Sequence, residues 1–248
     1  MTGPIIVAHR SLTPGASENA LSSLRRAAEA GADLIELDVR LSLDRKPVVF
    51  HDAFLGVSTR GRGWVRLWPS FLLTRVPIGG NPEPDTISSL ADILDAFPPE
   101  TEPALHLKDR AALNSVLRLL ERRWDPGRAW LWLEHMDDVR KATRRLPELR
   151  CTLLRPAGWT PANRNQYFTE AQWVGAAGVS VPWGVVDEGL LLHAHQHHLR
   201  VFSRLERMAD LQAHVAAGLD GIITADPRAV REAIDASSNA RILPLDTS

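Results

Sequence analysis

The feature that most constrains this chain is a pair of acidic residues inside an apolar stretch, DLIELDV at 33–39. Because the side chains of a strand alternate between its two faces, Glu36 and Asp38 would project from the same face. Two ionised carboxylates buried side by side without partners are strongly destabilising. The pair therefore predicts a bound cation, with a solvated edge strand that forms surface ion pairs as the competing interpretation.

Three further apolar runs end in side chains that can bind a metal or a phosphate. They end in His9 and Arg10, in His51 and Asp52, and in His106 and Lys108. Strands of a parallel sheet are covered on both faces and read as continuous apolar runs. These runs are apolar only up to their last residues, which favours chemistry gathered at the strand ends over surface decoration.

Strand and helix patterns alternate along most of the chain, as in a repeated βα unit. This alternation predicts an α/β fold, a (β/α)8 TIM barrel formed by a single domain over residues 1–248, with its active residues at the carboxyl ends of the strands. Nine segments have strand character, so one of them must lie outside an eight-stranded barrel. Ser17 is predicted to cap the first helix.

The third strand candidate, PVVF at 47–50, is joined to the acidic strand by a link too short for a helix, so a bare crossover is expected there. Residues 53–85 then break the alternation with Gly, Pro and Arg. We interpret this segment as an insertion between strand 3 and helix 3, a lid over the active site. Its apolar side chains need partners to pack on, which argues against a floppy surface loop. The largest are Trp64, Trp68, Phe71 and Leu72.

Composition narrows the possible partners and compartments. The chain has 29 basic and 30 acidic residues and a formal net charge of -1, with no basic cluster, so nucleic acid is not an expected partner. No signal peptide and no integral membrane segment is predicted, because long apolar runs are missing. The single cysteine, Cys151, is expected to be a buried small side chain. These features predict a cytoplasmic protein and carry no information on its oligomeric state.

The polar groups follow one another in a recognisable order. They are His9-Arg10-Ser11, Ser17-Glu18-Asn19-Ala20, Glu36-Leu37-Asp38, His51-Asp52 and His106-Leu107-Lys108, followed by GLDGIITADP at 218–227. In this order and on these elements they resemble the glycerophosphodiester phosphodiesterase family, whose motifs are HRG, PENT, ExD, HD and ExK. The resemblance spans nearly the whole chain.

The resemblance implies metal-dependent hydrolysis of a small phosphodiester, a glycerophosphodiester or a related compound, to an alcohol and a phosphomonoester. His9 and His51 would be the catalytic acid/base pair, a role that suits imidazole because it titrates near neutral pH. Arg10 and Lys108 would bind the phosphate. Two alternatives stay open: a lyase of the sphingomyelinase D type, which forms a cyclic phosphate, and a non-catalytic barrel that only binds phosphate.

The resemblance also assigns one divalent metal ion, magnesium or calcium, to Glu36 and Asp38. Where the family carries a third carboxylate, this chain has His106. Imidazole is a good ligand for manganese, zinc and other transition metals and a poor one for calcium or magnesium. If His106 is a ligand, we therefore expect a transition metal; the alternatives are a second-shell or a packing role.

Two departures from the family motifs concern the substrate pocket. Ser11 replaces the glycine of HRG and is expected to add bulk beside the phosphate. Arg204 replaces a tryptophan that often walls the pocket of the family, so recognition of the alcohol group should differ. Trp183, at the end of another strand, is the candidate for a compensating aromatic wall in substrate binding, with core packing as the alternative.

Overall fold

The computed structural model of the protein describes residues 3–79, 85–154 and 163–240. The strands of this part of the chain are β1 (Ile5–Ala8), β2 (Leu34–Leu41), β3 (Pro47–Val49), β4 (Pro77–Ile78), β5 (Asp85–Thr86), β6 (Ser88–Ser89), β7 (Glu102–Leu107), β8 (Trp130–Leu133), β9 (Arg150–Leu154), β10 (Gly178–Ser180), β11 (Arg200–Arg204) and β12 (Gly221–Thr224). Eight of them, β1, β2 and β7 to β12, are parallel and close into a barrel, because β1 pairs with both β2 and β12. The predicted (β/α)8 fold is confirmed.

Helices surround the barrel and bury their apolar faces against the outer side of the strands. They are α1 (Leu21–Glu29), α3 (Leu90–Asp95), α4 (Leu113–Arg123), α5 (Met136–Arg145), α6 (Arg164–Trp173), α7 (Glu188–Gln196), α8 (Leu211–Ala217) and α9 (Pro227–Ala240), whereas the short α2 (Ser70–Leu73) packs away from them in a smaller cluster. In α4, for example, Val116 and Leu120 belong to the same buried cluster as Leu105 of β7. Within the described ranges, no helix is both long and apolar enough to span a lipid bilayer.

The interior of the barrel is filled by large aromatic side chains. Trp130 and Trp132 of β8 contact Phe202 of β11, with ring centroids 5.4 and 5.6 Å apart. Glycine at position 221 of β12 makes room for this packing, because a Cβ atom there would collide with the Phe202 ring. Because these aromatic side chains fill the interior, polar side chains gather at the mouth, which is formed by the carboxyl ends of the strands.

Of the nine strand candidates, the one that lies outside the barrel is the third, PVVF at 47–50, which contains β3. β3 runs antiparallel to β2, with Val39 opposite Val49, so the expected bare crossover is wrong. The reason is a tight turn: Ser42 N–H donates to the Lys46 carbonyl at 3.1 Å, and Arg45 takes a left-handed φ of 59°. A parallel strand needs a much longer connection, whereas a short turn is sufficient for an antiparallel one.

This turn moves the predicted insertion. The excursion from the barrel follows its second strand, β2, and not a third barrel strand; it runs through β3 to β6 and returns at α3. We call residues 42–89 the excursion. Residues 80–84 of the predicted 53–85 segment lie outside the described residues.

The excursion has a small core of its own. Leu55, Val65 and Leu73 are buried there together with strand residues of β3, and Trp68 packs against them, as the sequence predicts. Trp64 and Phe71, which were expected to find partners in the same way, are 48% and 59% exposed. The excursion is therefore folded but displays part of its apolar content to the surroundings.

Candidate active site

Two neighbouring barrel strands bring three metal-competent side chains together. Glu36 and Asp38 project from β2 into the mouth, and His106 on β7 lies directly opposite Asp38 in the parallel register. One ligand atom from each of the three side chains lies within 4.8 Å of the others. Both carboxylates are almost fully buried, at 2% and 1% exposure. The shared face predicted from the alternation of the strand is what the fold produces.

Cationic groups surround the two carboxylates. His106 Nδ1 lies 3.6 Å from Glu36 Oε1 and 3.4 Å from Asp38 Oδ1. Asp38 also forms ion pairs, with Arg10 Nε 3.3 Å from its Oδ2 and Lys108 Nζ 3.8 Å from its Oδ1. The predicted phosphate-binding residues are therefore placed beside the predicted metal ligands.

The two carboxyl groups are tuned in opposite directions. Burial alone would raise the pKa of Asp38, but contacts with His106 and Asn19 and the charge of Lys108 hold this pKa well below its usual range. Burial raises the pKa of Glu36 in spite of its contact with His106. Burial would lower the pKa of His106, yet the two carboxylates outweigh it and raise this pKa. Asp38 thus stays ionised at the centre of the cluster.

The loop after β1 wraps around this cluster in an unusual backbone conformation. Arg10 and Ser11 have positive φ angles of 54° and 55°, and the Arg10 N–H donates to Glu36 Oε2 at 2.8 Å. The Arg10 guanidinium donates to Glu18 at 2.9 Å. Glycine adopts a left-handed φ without steric cost, which explains why the family motif has glycine after HR.

The expectation that Ser11 adds bulk beside the phosphate is wrong. Its side chain is fully buried, and its Oγ lies 2.6 Å from the Ser23 Oγ of α1. The serine therefore occupies the space beneath the loop. Its hydroxyl ties the loop to the first helix and leaves the mouth of the barrel free.

Asn19 is a site residue to which the sequence analysis gave no role. Its side-chain amide donates to Asp38 Oδ2 at 3.0 Å, and its Oδ1 accepts the Asp38 N–H at 2.9 Å. Asn19 has a φ of 54°, so α1 starts only at Leu21 and Ser17 does not cap it. Asparagine tolerates a left-handed conformation better than most residues, which fits its place in the Glu18-Asn19 motif.

His9 directly follows β1 and begins a short 3-10 turn beside the cluster. Burial, together with the positive charges of Arg204 and Arg10, lowers the pKa of His9 to about 3. Its imidazole is therefore neutral at physiological pH. The charge of Arg204 therefore acts on this site.

His51 reaches the mouth from the excursion. Phe50 N–H donates to the Asp38 carbonyl at 2.9 Å, which fixes the chain just before the histidine. His51 Nδ1 lies 2.9 Å from Asp52 Oδ1, and the Ser58 hydroxyl donates to Asp52 Oδ2 at 2.6 Å. Asp52 is thus the residue that orients the ring.

Glu134 was missed by the sequence analysis because it has no counterpart in the family motifs quoted above. It follows β8, and its Oε1 lies 3.9 Å from His106 Nε2. This nitrogen is buried and has no hydrogen-bond partner. Glu134 therefore faces the ring nitrogen of His106 on the side opposite to the two buried carboxylates.

Trp183 lies just after the carboxyl end of β10. Its ring stacks on His214 of α8, with centroids 3.7 Å apart, and it packs against the main hydrophobic core. Its role as an aromatic wall in substrate binding stays a prediction. Cys151 is fully buried as predicted, and burial raises the pKa of its thiol to about 12.

A parallel barrel whose mouth gathers two carboxylates, imidazoles, a guanidinium and an ammonium group is the architecture of a barrel enzyme for an anionic substrate. The chain matches the model of the glycerophosphoryl diester phosphodiesterase family over residues 9–229. It therefore belongs to this family and is a phosphoric diester hydrolase.

Individual relatives agree with this assignment. A glycerophosphodiester phosphodiesterase of Caldanaerobacter subterraneus is 24% identical over 90% of this chain and 94% of its own length. Among solved structures, an Oleispira antarctica phosphodiesterase in complex with the product sn-glycerol-3-phosphate superposes with a TM-score of 0.81 at 21% identity, over 94% of this chain and 97% of that one. The glycerophosphodiester phosphodiesterase of Thermotoga maritima gives 0.78 at 19% identity, over 94% and 99%. At these identities the structures show a common fold.

Proposed function

We propose that this protein hydrolyses a glycerophosphodiester or a related small phosphodiester to an alcohol and a phosphomonoester, with one divalent metal ion and with His9 and His51 as the acid/base pair. The observation that carries the proposal is the convergence of Glu36, Asp38 and His106 at the barrel mouth, with ligand atoms within 4.8 Å of one another. Arg10 and Lys108 at its side supply the positive charge that a phosphate needs.

The donor set fits a divalent cation. A divalent cation would stabilise the two buried carboxylates, and an imidazole completes a mixed oxygen and nitrogen donor set. A cation held there would neutralise phosphoryl oxygens. Because His106 faces the carboxylates through Nδ1, we propose it as the third ligand, which favours manganese, zinc or another transition metal over calcium and magnesium.

The protein side chains divide the remaining work. His9 and His51 are the two groups proposed to exchange a proton, and the ring of His51 is oriented by Asp52. Arg10 is fixed by Glu18 and Asp38, so its guanidinium reaches the mouth in a defined position. We include Arg10 and Lys108 as the phosphate-binding residues.

We further propose that the excursion is a lid that forms one wall of the site. A cavity of about 170 Å³ lies between the active-site loop and the excursion, with Glu18 and Asn19 on one side and Phe50, Ser58, Ile78 and Gly79 on the other. Because Asn19 holds Asp38, this cavity adjoins the acidic cluster.

The proposal is tested by product analysis with defined metals. The chain is stripped of metal, loaded with Mn²⁺, Zn²⁺, Mg²⁺ or Ca²⁺, and given glycerophosphodiesters while phosphorus NMR identifies the product. We expect a phosphomonoester, with Mn²⁺ or Zn²⁺ giving the highest rate. A cyclic phosphate would replace hydrolysis by the lyase reaction, and no turnover with any metal would leave a phosphate-binding barrel.

A further inference from the structure

One segment of the excursion has an unusual composition. Residues 53–79 contain four arginines and no aspartate or glutamate. The described chain has ten exposed large apolar side chains, and half of them lie in this segment: Phe54, Val57, Trp64, Leu67 and Phe71. Scattered exposed apolar residues need no explanation, but such a concentration marks an interaction surface.

The fold of the segment keeps these side chains outside. Leu55 N–H donates to the Gly63 carbonyl, so the chain runs back along itself, and Leu55 and Val65 point into the small core of the excursion. Their neighbours Phe54 and Trp64, which form an isolated antiparallel bridge, are 38% and 48% exposed and lie on the outer side. The two rings meet edge to face with centroids 5.7 Å apart. The apolar surface is a stable feature, since its inner side is already packed.

The arginines of the segment are exposed and uncompensated. Arg60, Arg62, Arg66 and Arg75 are all exposed, and none forms an ion pair with a residue that the structure describes. The guanidinium of Arg66 lies over the Trp64 ring at 5.8 Å from its centroid. Positive charge and aromatic surface therefore belong to the same patch.

We propose that this outer surface of residues 53–79 docks on an anionic lipid bilayer. Aromatic rings favour the headgroup level of a bilayer, and arginines are attracted to anionic lipids. A second copy of the chain is a poorer fit, because two identical patches would bring like charges together. The proposal concerns binding and holds independently of the reaction proposed above.

Docking would bring the active site close to the lipid. Ser58, within the same segment, donates to Asp52, which holds the His51 ring. The surface is therefore two hydrogen bonds away from a proposed catalytic residue. The side chains replaced in the variants below, Arg60, Arg62, Leu67 and Phe71, do not line the described cavity beside the acidic cluster.

The test is co-sedimentation of the full chain with vesicles of phosphatidylcholine alone or with 30% phosphatidylglycerol, a fraction of about one lipid in three chosen to give a strong negative surface potential. We expect binding to the anionic vesicles that falls steeply between about 0.05 and 0.5 M salt, because salt screens the attraction. Arg60→Gln with Arg62→Gln should weaken it by about fivefold for each charge removed. Leu67→Ser with Phe71→Ser should also weaken it at least tenfold.

Matched controls separate this surface from general stickiness. Trp173 and Leu192 are 72% and 60% exposed on α6 and α7, so Trp173→Ser with Leu192→Ser removes comparable apolar area elsewhere. Arg25→Gln with Arg122→Gln removes two exposed charges elsewhere. Binding that is absent, equal on neutral vesicles, or equally sensitive to the control pairs would overturn the proposal. The surface substitutions could instead abolish a dimer seen by analytical ultracentrifugation and leave vesicle binding unchanged. That result would overturn the proposal and show that the surface binds a second copy of the chain.

Discussion

The two histidines at the mouth of the barrel are held by different kinds of structure. His9 directly follows the barrel strand β1, and its burial with the charges of Arg204 and Arg10 lowers its pKa to about 3. His51 belongs to the excursion, and its ring is oriented by the Asp52 carboxylate at 2.9 Å. The position of His9 follows from the closure of the barrel. The orientation of the His51 ring follows from the hydrogen bonds that link it to Asp52 and Asp52 to Ser58.

The mouth of the barrel combines a rigid part, the paired strands β2 and β7, with a more loosely connected part, the excursion. The acidic cluster lies on β2 and β7, which pair along six residues and cannot shift independently. The excursion is connected to β2 by the antiparallel β3 and by single contacts such as Phe50 N–H to the Asp38 carbonyl. Substitutions in the acidic cluster should therefore affect metal binding and catalysis together, whereas substitutions in the excursion that only support His51 should have smaller, graded effects.

The largest expected effect concerns the two histidines themselves. Replacing either by alanine, His9→Ala or His51→Ala, should lower kcat by about 10²- to 10⁴-fold, the usual contribution of general acid/base catalysis. Circular dichroism and thermal unfolding should show an intact fold. Full activity of either variant would remove that histidine from the mechanism and end the comparison.

Glu134→Gln tests the barrel side of the comparison. Because Glu134 lies 3.9 Å from His106 Nε2, a ligand histidine would donate its second N–H toward this carboxylate. We expect affinity for Mn²⁺ or Zn²⁺, measured by calorimetry, to fall by about 10- to 100-fold. Glu188→Gln, on the exposed start of α7, is the matched control and should leave the affinity unchanged. An unchanged affinity in Glu134→Gln would show that His106 needs no such partner.

Ser58→Ala tests the excursion side. It removes one hydrogen bond to Asp52 and leaves the carboxylate that holds His51 in place. The expected loss is about fivefold in kcat, corresponding to roughly 1 kcal/mol for one hydrogen bond. KM should stay within twofold, since the phosphate-binding side chains are untouched. A loss confined to KM would place Ser58 in substrate binding.

The smallest expected effect is on stability at acid pH. The unfolded chain binds a proton at His9 near pH 6.5, whereas the folded chain does so only near pH 3. This contribution is fully present above pH 6.5 and is lost as the pH falls toward 3. Between pH 7 and 5.5 it amounts to about 1 kcal/mol. The metal-free His9→Asn variant should therefore lose roughly 2–4 °C less in Tm than the parent over this interval. Parallel Tm curves would contradict the burial of a neutral His9.

The features that could be predicted from the sequence depend on local chain geometry. The alternation of a strand put Glu36 and Asp38 on one face, and the repeated βα pattern led to the barrel with its site at the strand ends. The family motifs then gave the class of reaction, and the family match confirmed it. These inferences need no knowledge of what lies across the fold.

The contacts between residues far apart in sequence could not be predicted in this way and are seen only in the folded protein. The turn at Arg45 reversed β3 and moved the excursion to the second barrel strand. Asn19 lies outside the first helix, and its side chain donates to Asp38. Glu134, which follows the next barrel strand, lies 3.9 Å from His106. Local periodicity fixes which way a side chain points along its own element. Which partner it meets depends on how separate elements pack, because that choice is made by the free energy of the whole fold.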